Sequence, residues 1–248
     1  YTGGAVLHVE VPEPAYSVYL EWNAPPEPYT VCWEDGSLAG GENEFLHEFL
    51  EFGQGVTSFD IVFSGSGQLC TLRVFGEGAL PEDLQVWQPA WETADVLVFS
   101  SHADDDVIFF GALIADCVDR GLAVQVCYLV QHYGWPPRPH ELLDALWCMG
   151  VRHYPVIGPF PDHYVLSLEE AVASFGEEAV IQYQTELLRR FRPQVVVTHD
   201  RQGEYGHGAH RLSALAMEQA VLLAADPSYD PATAELYGVW DTPKLYLH

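Results

Sequence analysis

Two short stretches of this chain of 248 residues hold the side chains that bind metals and move protons. The first is Ser101-His102-Ala103-Asp104-Asp105-Asp106, one imidazole and three consecutive carboxylates. The second is Thr198-His199-Asp200-Arg201-Gln202-Gly203-Glu204-Tyr205-Gly206-His207-Gly208-Ala209-His210, with three histidines within a dozen residues and glycines that allow a close backbone approach. Imidazole and carboxylate together suit zinc or a similar divalent ion, with no cysteine required. A set such as His102, Asp105 and His210 leaves coordination positions open, which distinguishes a catalytic site from a structural one, because an open position holds the water whose pKa the ion lowers. A hydrolase is the class this chemistry points to.

The elements around these stretches explain how they could meet. Asp95-Val96-Leu97-Val98-Phe99-Ser100 is a short apolar run that reads as an interior strand of a parallel sheet, and Val107 to Ile114 reads as the helix that returns over it. Gln194 to Thr198 repeats the pattern, followed by a helix from Arg211. Both clusters therefore sit at the carboxyl ends of strands, the edge of an open α/β sheet where ligands bind. One of Asp104, Asp105 and Asp106 could simply cap the helix and complement its dipole. Capping accounts for one acid, not three beside a histidine.

These residues resemble the zinc-dependent N-acetyl sugar deacetylases of the LmbE-like family, also called PIG-L, over roughly residues 95–248. The family's first motif is a strand followed by (A/P)HPDDE, here 101–106, and its second is a strand, TH and GHxxH, here Thr198-His199 and 206–210. The resemblance implies that His102, Asp105 and His210 hold one Zn2+ per chain, or another divalent ion. It further implies that Asp104 is the general base for a zinc-activated water and that His207 is an acid or electrostatic partner. Tyr205 is a second candidate oxyanion donor. Arg138 and Glu141 match an R-x-x-E element and Asp162 a loop acid, both facing substrate; an Arg138–Glu141 pair on a helix surface is the plain alternative. Ala103 stands where the family usually has proline, Asp106 where it has glutamate, and Gly208-Ala209 where several members have Pro-Asp. These changes fall on the supporting groups, and Asp106, Asp200 and Glu204 become candidates for the partner of His207, with His199 beside them.

Other histidines, His8, His47, His132, His153 and His163, show no ligand spacing and read as surface or packing residues. No Cys-x-x-Cys pair exists among the five cysteines; Cys117, Cys127 and Cys148 read as small core residues, and Cys32 with Cys70 as a candidate disulfide. A formal charge of −26, from 36 acids against 10 bases, argues against nucleic acid and anionic membrane surfaces as partners. No apolar run reaches the length of a membrane span.

The expected fold is α/β: a Rossmann-like, mostly parallel sheet with flanking helices over residues 89–248, preceded by a small antiparallel β-sandwich over 1–88. Helices are expected near 106–119, 139–149, 176–191 and 209–224, and parallel strands near 95–100, 123–130, 153–157, 194–198 and 243–247. The front domain's Tyr16, Tyr19, Trp22, Tyr29 and Trp33 suit either sugar stacking or core packing. An aromatic-rich β-domain ahead of a sugar-active one leads us to expect an extracellular or cell-surface location, with cytoplasmic as the alternative. The expected activity is removal of the acetyl group from an N-acetylated amino sugar in a glycan, glycolipid or glycoconjugate. The competitors are a catalytically silent sugar-binding protein that keeps a structural metal, and a metal phosphoesterase, which the scarcity of basic residues disfavours.

Overall fold

Alternating apolar residues and turn signals in the front of the chain build five strands, β1 (Val6–Trp22), β2 (Tyr29–Trp33), β3 (Gly36–Gly40), β4 (His47–Phe63) and β5 (Leu69–Phe75). In the computed structural model, which describes residues 1–248, they form the first of two compact units, Tyr1–Pro89 and Ala90–His248. All five join one antiparallel sheet in the order β3-β2-β4-β1-β5, in place of the expected two packed sheets. The two strands of 17 residues carry the difference, since β1 and β4 pair along their length with register shifts between Glu10 and Ala15 and between Ala15 and Ser17. Such bulges bend and twist long strands, so what reads in sequence as several short strands is continuous.

Tyr19, Trp22 and Tyr29 are buried, and Trp22 packs against Tyr29 and Phe63 with ring centroids 5.0 and 6.2 Å apart. Three of the five aromatics named for sugar stacking are thus core. Cys32 and Cys70 are both free thiols. The sheet order separates their strands by three strand spacings, about 14 Å, beyond the reach of a disulfide.

The second unit alternates strand and helix: β6 (Val96–Ser100), α1 (Asp105–Ile108), α2 (Gly111–Asp119), β7 (Val124–Tyr128), β8 (Val130–Gln131), α3 (Pro137–Cys148), β9 (Phe160–Pro161), α4 (Leu168–Phe175), α5 (Glu177–Phe191), β10 (Val195–Thr198), α6 (Gly208–Leu223), α7 (Pro231–Tyr237) and β11 (Lys244–Leu247). The main sheet is parallel in the order β11-β10-β6-β7. Every side chain of β6 and β7 is buried, as a sheet covered on both faces requires. Leu97, Phe99 and Val196 of the strands pack with Leu187, Leu188, Phe191, Leu212 and Met217 of the helices. The chain runs from β6 outward to β7, then returns to place β10 on the other side of β6. That reversal, between β6 and β10, opens a crevice at their carboxyl ends.

Three expectations change here. The helix over 106–119 breaks at Phe109 and Phe110 into α1 and α2, where Gly111, a poor helix former, follows. Residues 153–157 form isolated bridge positions, Val156 pairing with Cys127, and not a strand. Pro155 has no N–H to extend the ladder around Val156, whose N–H donates to Val126 and whose carbonyl accepts from Tyr128. Helices α4 and α7 were not anticipated. Helix α4 opens on a capping box in which Ser167 and Glu170 satisfy each other's backbone N–H groups, and the Asp230 side chain accepts from the Thr233 N–H at the start of α7. No helix is long and apolar enough to cross a membrane.

Candidate metal centre and substrate cavity

The carboxyl end of β6 delivers the first motif as expected. Asp104 occupies the N-cap of α1 and makes no side-chain capping bond, so the helix does not consume its carboxylate. Asp105, one residue on, points inward and is fully buried. Its Oδ2 accepts from the His102 N–H at 2.9 Å and lies 3.0 Å from His102 Nδ1 and 3.0 Å from His210 Nε2. Burial alone would raise the Asp105 pKa, but the imidazoles of His102 and His210 against it hold it well below the usual carboxylate range.

His210 stands in the first turn of α6 and is fully buried. Its Nε2 faces Asp105 and its Nδ1 lies 2.8 Å from Glu204 Oε2, yet neither nitrogen has hydrogen-bonding geometry. Burial works to lower its pKa and the contacts to Asp105 and Glu204 outweigh it, raising it to about 9. A buried imidazole between two carboxylates, within contact distance but misaligned, suits coordination better than hydrogen bonding. Ligand atoms of a tetrahedral zinc site lie about 3.3 Å apart, given zinc–ligand lengths of 2.0–2.1 Å, close to the 3.0 Å seen from Asp105 to His102 and His210. The residues therefore fit a divalent ion. His102, His207 and His210 also offer nitrogens within 4.8 Å of one another, as do Asp105, His199 and His210 with one oxygen and two nitrogens.

His199 is not free to ligate. Its Nε2 accepts the Ser101 N–H at 2.9 Å and its Nδ1 lies 2.7 Å from Glu204 Oε2. It locks the two motif loops together, and Glu204 joins His199 to His210. Asp200 contributes its N–H to Glu204 Oε1 at 3.1 Å and accepts from the Gln202 N–H at 2.6 Å, a turn-forming role. The carboxylates of Asp106, Asp200 and Glu204 make no hydrogen bond to the His207 ring, whose Nδ1 is buried without a partner; Glu204 meets His207 only through its backbone carbonyl, which accepts the His207 N–H at 3.1 Å. Burial, then His102 and His210, depress His207 to about 4, leaving the ring neutral near pH 7. Glycine at position 208 has a local cause: a Cβ there would stand 2.1 Å from the Ser167 carbonyl oxygen, and its N–H donates to Val165 at 3.2 Å.

A cavity of about 460 Å³ opens over this cluster, in the size range of small-molecule sites, lined by His102, Asp104, Arg138, Asp162, Tyr205 and His207 among others. Arg138 reaches Asp104 at 3.0 Å and Glu141 only at 3.9 Å, so its partner is the candidate base and not its helix neighbour. Tyr205, 78% exposed and in left-handed conformation (φ 46°), stands at the rim with Tyr164 and Leu166. Asp106 lies apart. Both its oxygens are buried without hydrogen-bond partners, and burial pushes its pKa up to about 7. Glu141 does not line the cavity.

Two histidines read as surface or packing residues belong here. His163 lines the cavity, and His132 bridges the Ala103 N–H and Asp162. His248, which follows β11, lies 3.0 Å from Glu204 Oε1. The signal for both is position: His248 follows β11, the parallel neighbour of the strand before His199, and His132 follows β8, whose Val130 N–H donates to the Ser101 carbonyl.

An α/β domain with a histidine and carboxylate cluster at the switch point of its parallel sheet is the class the fold and site define. The chain belongs to the PIG-L (LmbE-like) family: the family model described as PIG-L, GlcNAc-PI de-N-acetylase, matches residues 97–221, a span that takes in both motifs. It is similar to 1D-myo-inositol 2-acetamido-2-deoxy-alpha-D-glucopyranoside deacetylase 2 of Saccharopolyspora erythraea, 38% identical over 176 residues, covering 60% of this chain and 63% of that one. The deacetylase of the same description from Geodermatophilus obscurus is 40% identical over 179 residues, covering 61% and 60%. The chain thus spans less than two thirds of the length of these curated relatives. The N,N'-diacetylchitobiose deacetylase structure from Pyrococcus horikoshii aligns with a TM-score of 0.48 at 19% identity, covering 64% of this chain and 61% of that one.

Proposed function

We propose that this protein is a divalent-metal-dependent N-deacetylase that removes acetate from an N-acetylated amino sugar. The observation that carries the reading is the separation of two adjacent carboxylates. Asp105 turns inward to His102 and His210 at 3.0 Å each, while Asp104 remains half-exposed in the cavity beside them. Membership of the PIG-L family and the likeness to the two relatives, both described as deacetylases of a 2-acetamido sugar, support it.

His102, Asp105 and His210 would hold the ion, zinc being the natural fit for this donor set. Bound there, it supplies Lewis acidity and lowers the pKa of water. Asp104 takes the proton of the attacking water and returns it to the departing amine. Arg138, 3.0 Å away, orients the Asp104 carboxylate. Neutral His207 and the Tyr205 hydroxyl act as donors to the amide oxygen as negative charge develops on it. Asp162 accepts from a sugar hydroxyl, and the rings of Tyr164 and Tyr205 offer apolar faces to the sugar.

The test is acetate release from N-acetylglucosamine and its glycosides by the purified chain, with and without chelator, in wild type and Asp104→Asn. About one zinc per chain in both proteins, with turnover lower by about 10²–10⁴-fold in the variant, is the expected result. Acetate release that survives both chelation and the substitution would remove the proposal.

A further inference from the structure

His132 follows β8 and is buried, 6% exposed. Its ring touches two loops at once. Nε2 accepts the backbone N–H of Ala103 at 3.1 Å, and Nδ1 lies 3.1 Å from Asp162 Oδ2. An acceptor at Nε2 requires that nitrogen to be bare, so the proton sits on Nδ1 and is donated to Asp162. Burial, the largest influence on it, lowers the His132 pKa, the direction that favours the neutral ring.

The donor to His132 exists because position 103 is alanine. The proline usual in the family's first motif has no N–H to give. The departure at Ala103 and the histidine at position 132 are thus two halves of one connection. It runs from the loop carrying His102 and Asp105 to the loop carrying Asp162. Asp162 is left with Oδ1 as a fixed acceptor, 3.9 Å from His102 Nε2, in the wall of the cavity.

We infer that His132 is a positioning residue: through its Nδ1–H it holds Asp162 as a hydroxyl acceptor at a set distance from His102, and so helps select a hydroxyl-bearing substrate. The kinetic consequence rests on the deacetylase reading. The tautomer does not.

Two amides divide the connection. The amide of asparagine reaches the place of Nδ1 and can still donate to Asp162, whereas that of glutamine reaches the place of Nε2, accepts from Ala103 and leaves Asp162 without its donor. In zinc-loaded enzyme releasing acetate from N-acetylglucosamine glycosides, His132→Gln and Asp162→Ala are each expected to raise KM about tenfold with kcat little changed, the size of one charge-assisted hydrogen bond. The double variant should lose no more than either single one, and His132→Asn should recover most of the loss. Equal losses in His132→Asn and His132→Gln, or losses that multiply in the double variant, would show a packing role and overturn the inference. Imidazole 15N–1H spectra of the wild-type protein provide a readout that needs no substrate. A protonated Nδ1 and bare Nε2 at His132 are expected, with the Nδ1 signal shifted in Asp162→Ala; a protonated Nε2 would overturn the inference. If no sugar is deacetylated, that result falls on the activity alone, and the spectrum decides the role of His132.

Discussion

Glu204 Oε2 lies 2.8 Å from Nδ1 of His210, across the ring from the Nε2 that faces Asp105. A carboxylate behind a histidine ligand fixes the ring's orientation and raises its basicity. Glu204 is held in turn by His199, His248 and the Asp200 N–H. Burial opposes its ionisation, but the hydrogen bond with His199 and the close His210 imidazole prevail and keep its pKa well below the usual carboxylate range. Glu204→Gln is expected to weaken zinc binding about 10–100-fold, measured by competition with a chromophoric chelator. Wild-type affinity in the variant would mean that packing alone orients His210.

Metal binding should depend steeply on pH. In the metal-free protein the His210 pKa is raised to about 9, so the ring is charged at neutral pH and must lose its proton before Nε2 can ligate. Apparent zinc affinity should fall about tenfold for each unit below pH 9, with about one proton released per ion bound near pH 7. Calorimetry in two buffers of different ionisation enthalpy measures that release, and a value near zero would contradict the raised pKa.

Much of the site was legible because its two motifs combine ligand-type residues with a strand before and a helix after, so His102, Asp104, Asp105 and His210 could be placed at one sheet edge from spacing alone. His132 and His248 lack a motif; β11 pairs in parallel with β10, which sets His248 at the edge of His199, and the Val130 N–H of β8 donates to the Ser101 carbonyl, which sets His132 beside the first motif. The partner of His207 was misjudged because three acids close in sequence point elsewhere, Asp106 into the interior, Asp200 into its own turn and Glu204 toward His199 and His210. In the front unit, short β-like runs were visible, but bulges within β1 are set by pairing with β4, a long-range property that composition does not carry. The start of α4 is written in the pairing of Ser167 with Glu170 three residues on.

Arg189 ties the far side of the same unit together. It is fully buried, and its guanidinium donates to the carbonyls of Leu223, Ala224, Asp226, Tyr229 and Asp230 and to the Thr233 hydroxyl. Those carbonyls lie at the end of α6 and in the turn to α7, where helix termini leave acceptors without partners. Arg189→Met would leave several buried oxygens without donors, and a loss of about 3–5 kcal/mol is expected, seen as a lower urea midpoint. Lysine cannot span the same acceptors, so Arg189→Lys should recover less than half. Zinc stoichiometry measured without urea should be unchanged, since Arg189 contacts none of the proposed ligands.

Asp106 makes the opposite kind of contribution. In the unfolded chain an aspartate titrates near pH ~4; in the fold, burial raises Asp106 to about 7. Below pH ~4 both states hold the proton and the group does not oppose folding. As pH rises toward 7 the unfolded chain ionises first and binds fewer protons than the folded one, so stability falls, and above pH 7 the full penalty stands. Asp106→Asn keeps the shape and removes the charge. In chelated protein it is expected to raise stability at pH 8 by on the order of 4 kcal/mol, and to change little at pH 4. Denaturation midpoints at the two pH values decide it. A variant less stable at pH 8 would show that ionised Asp106 has a partner in solution, and the buried Tyr128 hydroxyl, which makes no hydrogen bond, is the group to examine next by Tyr128→Phe.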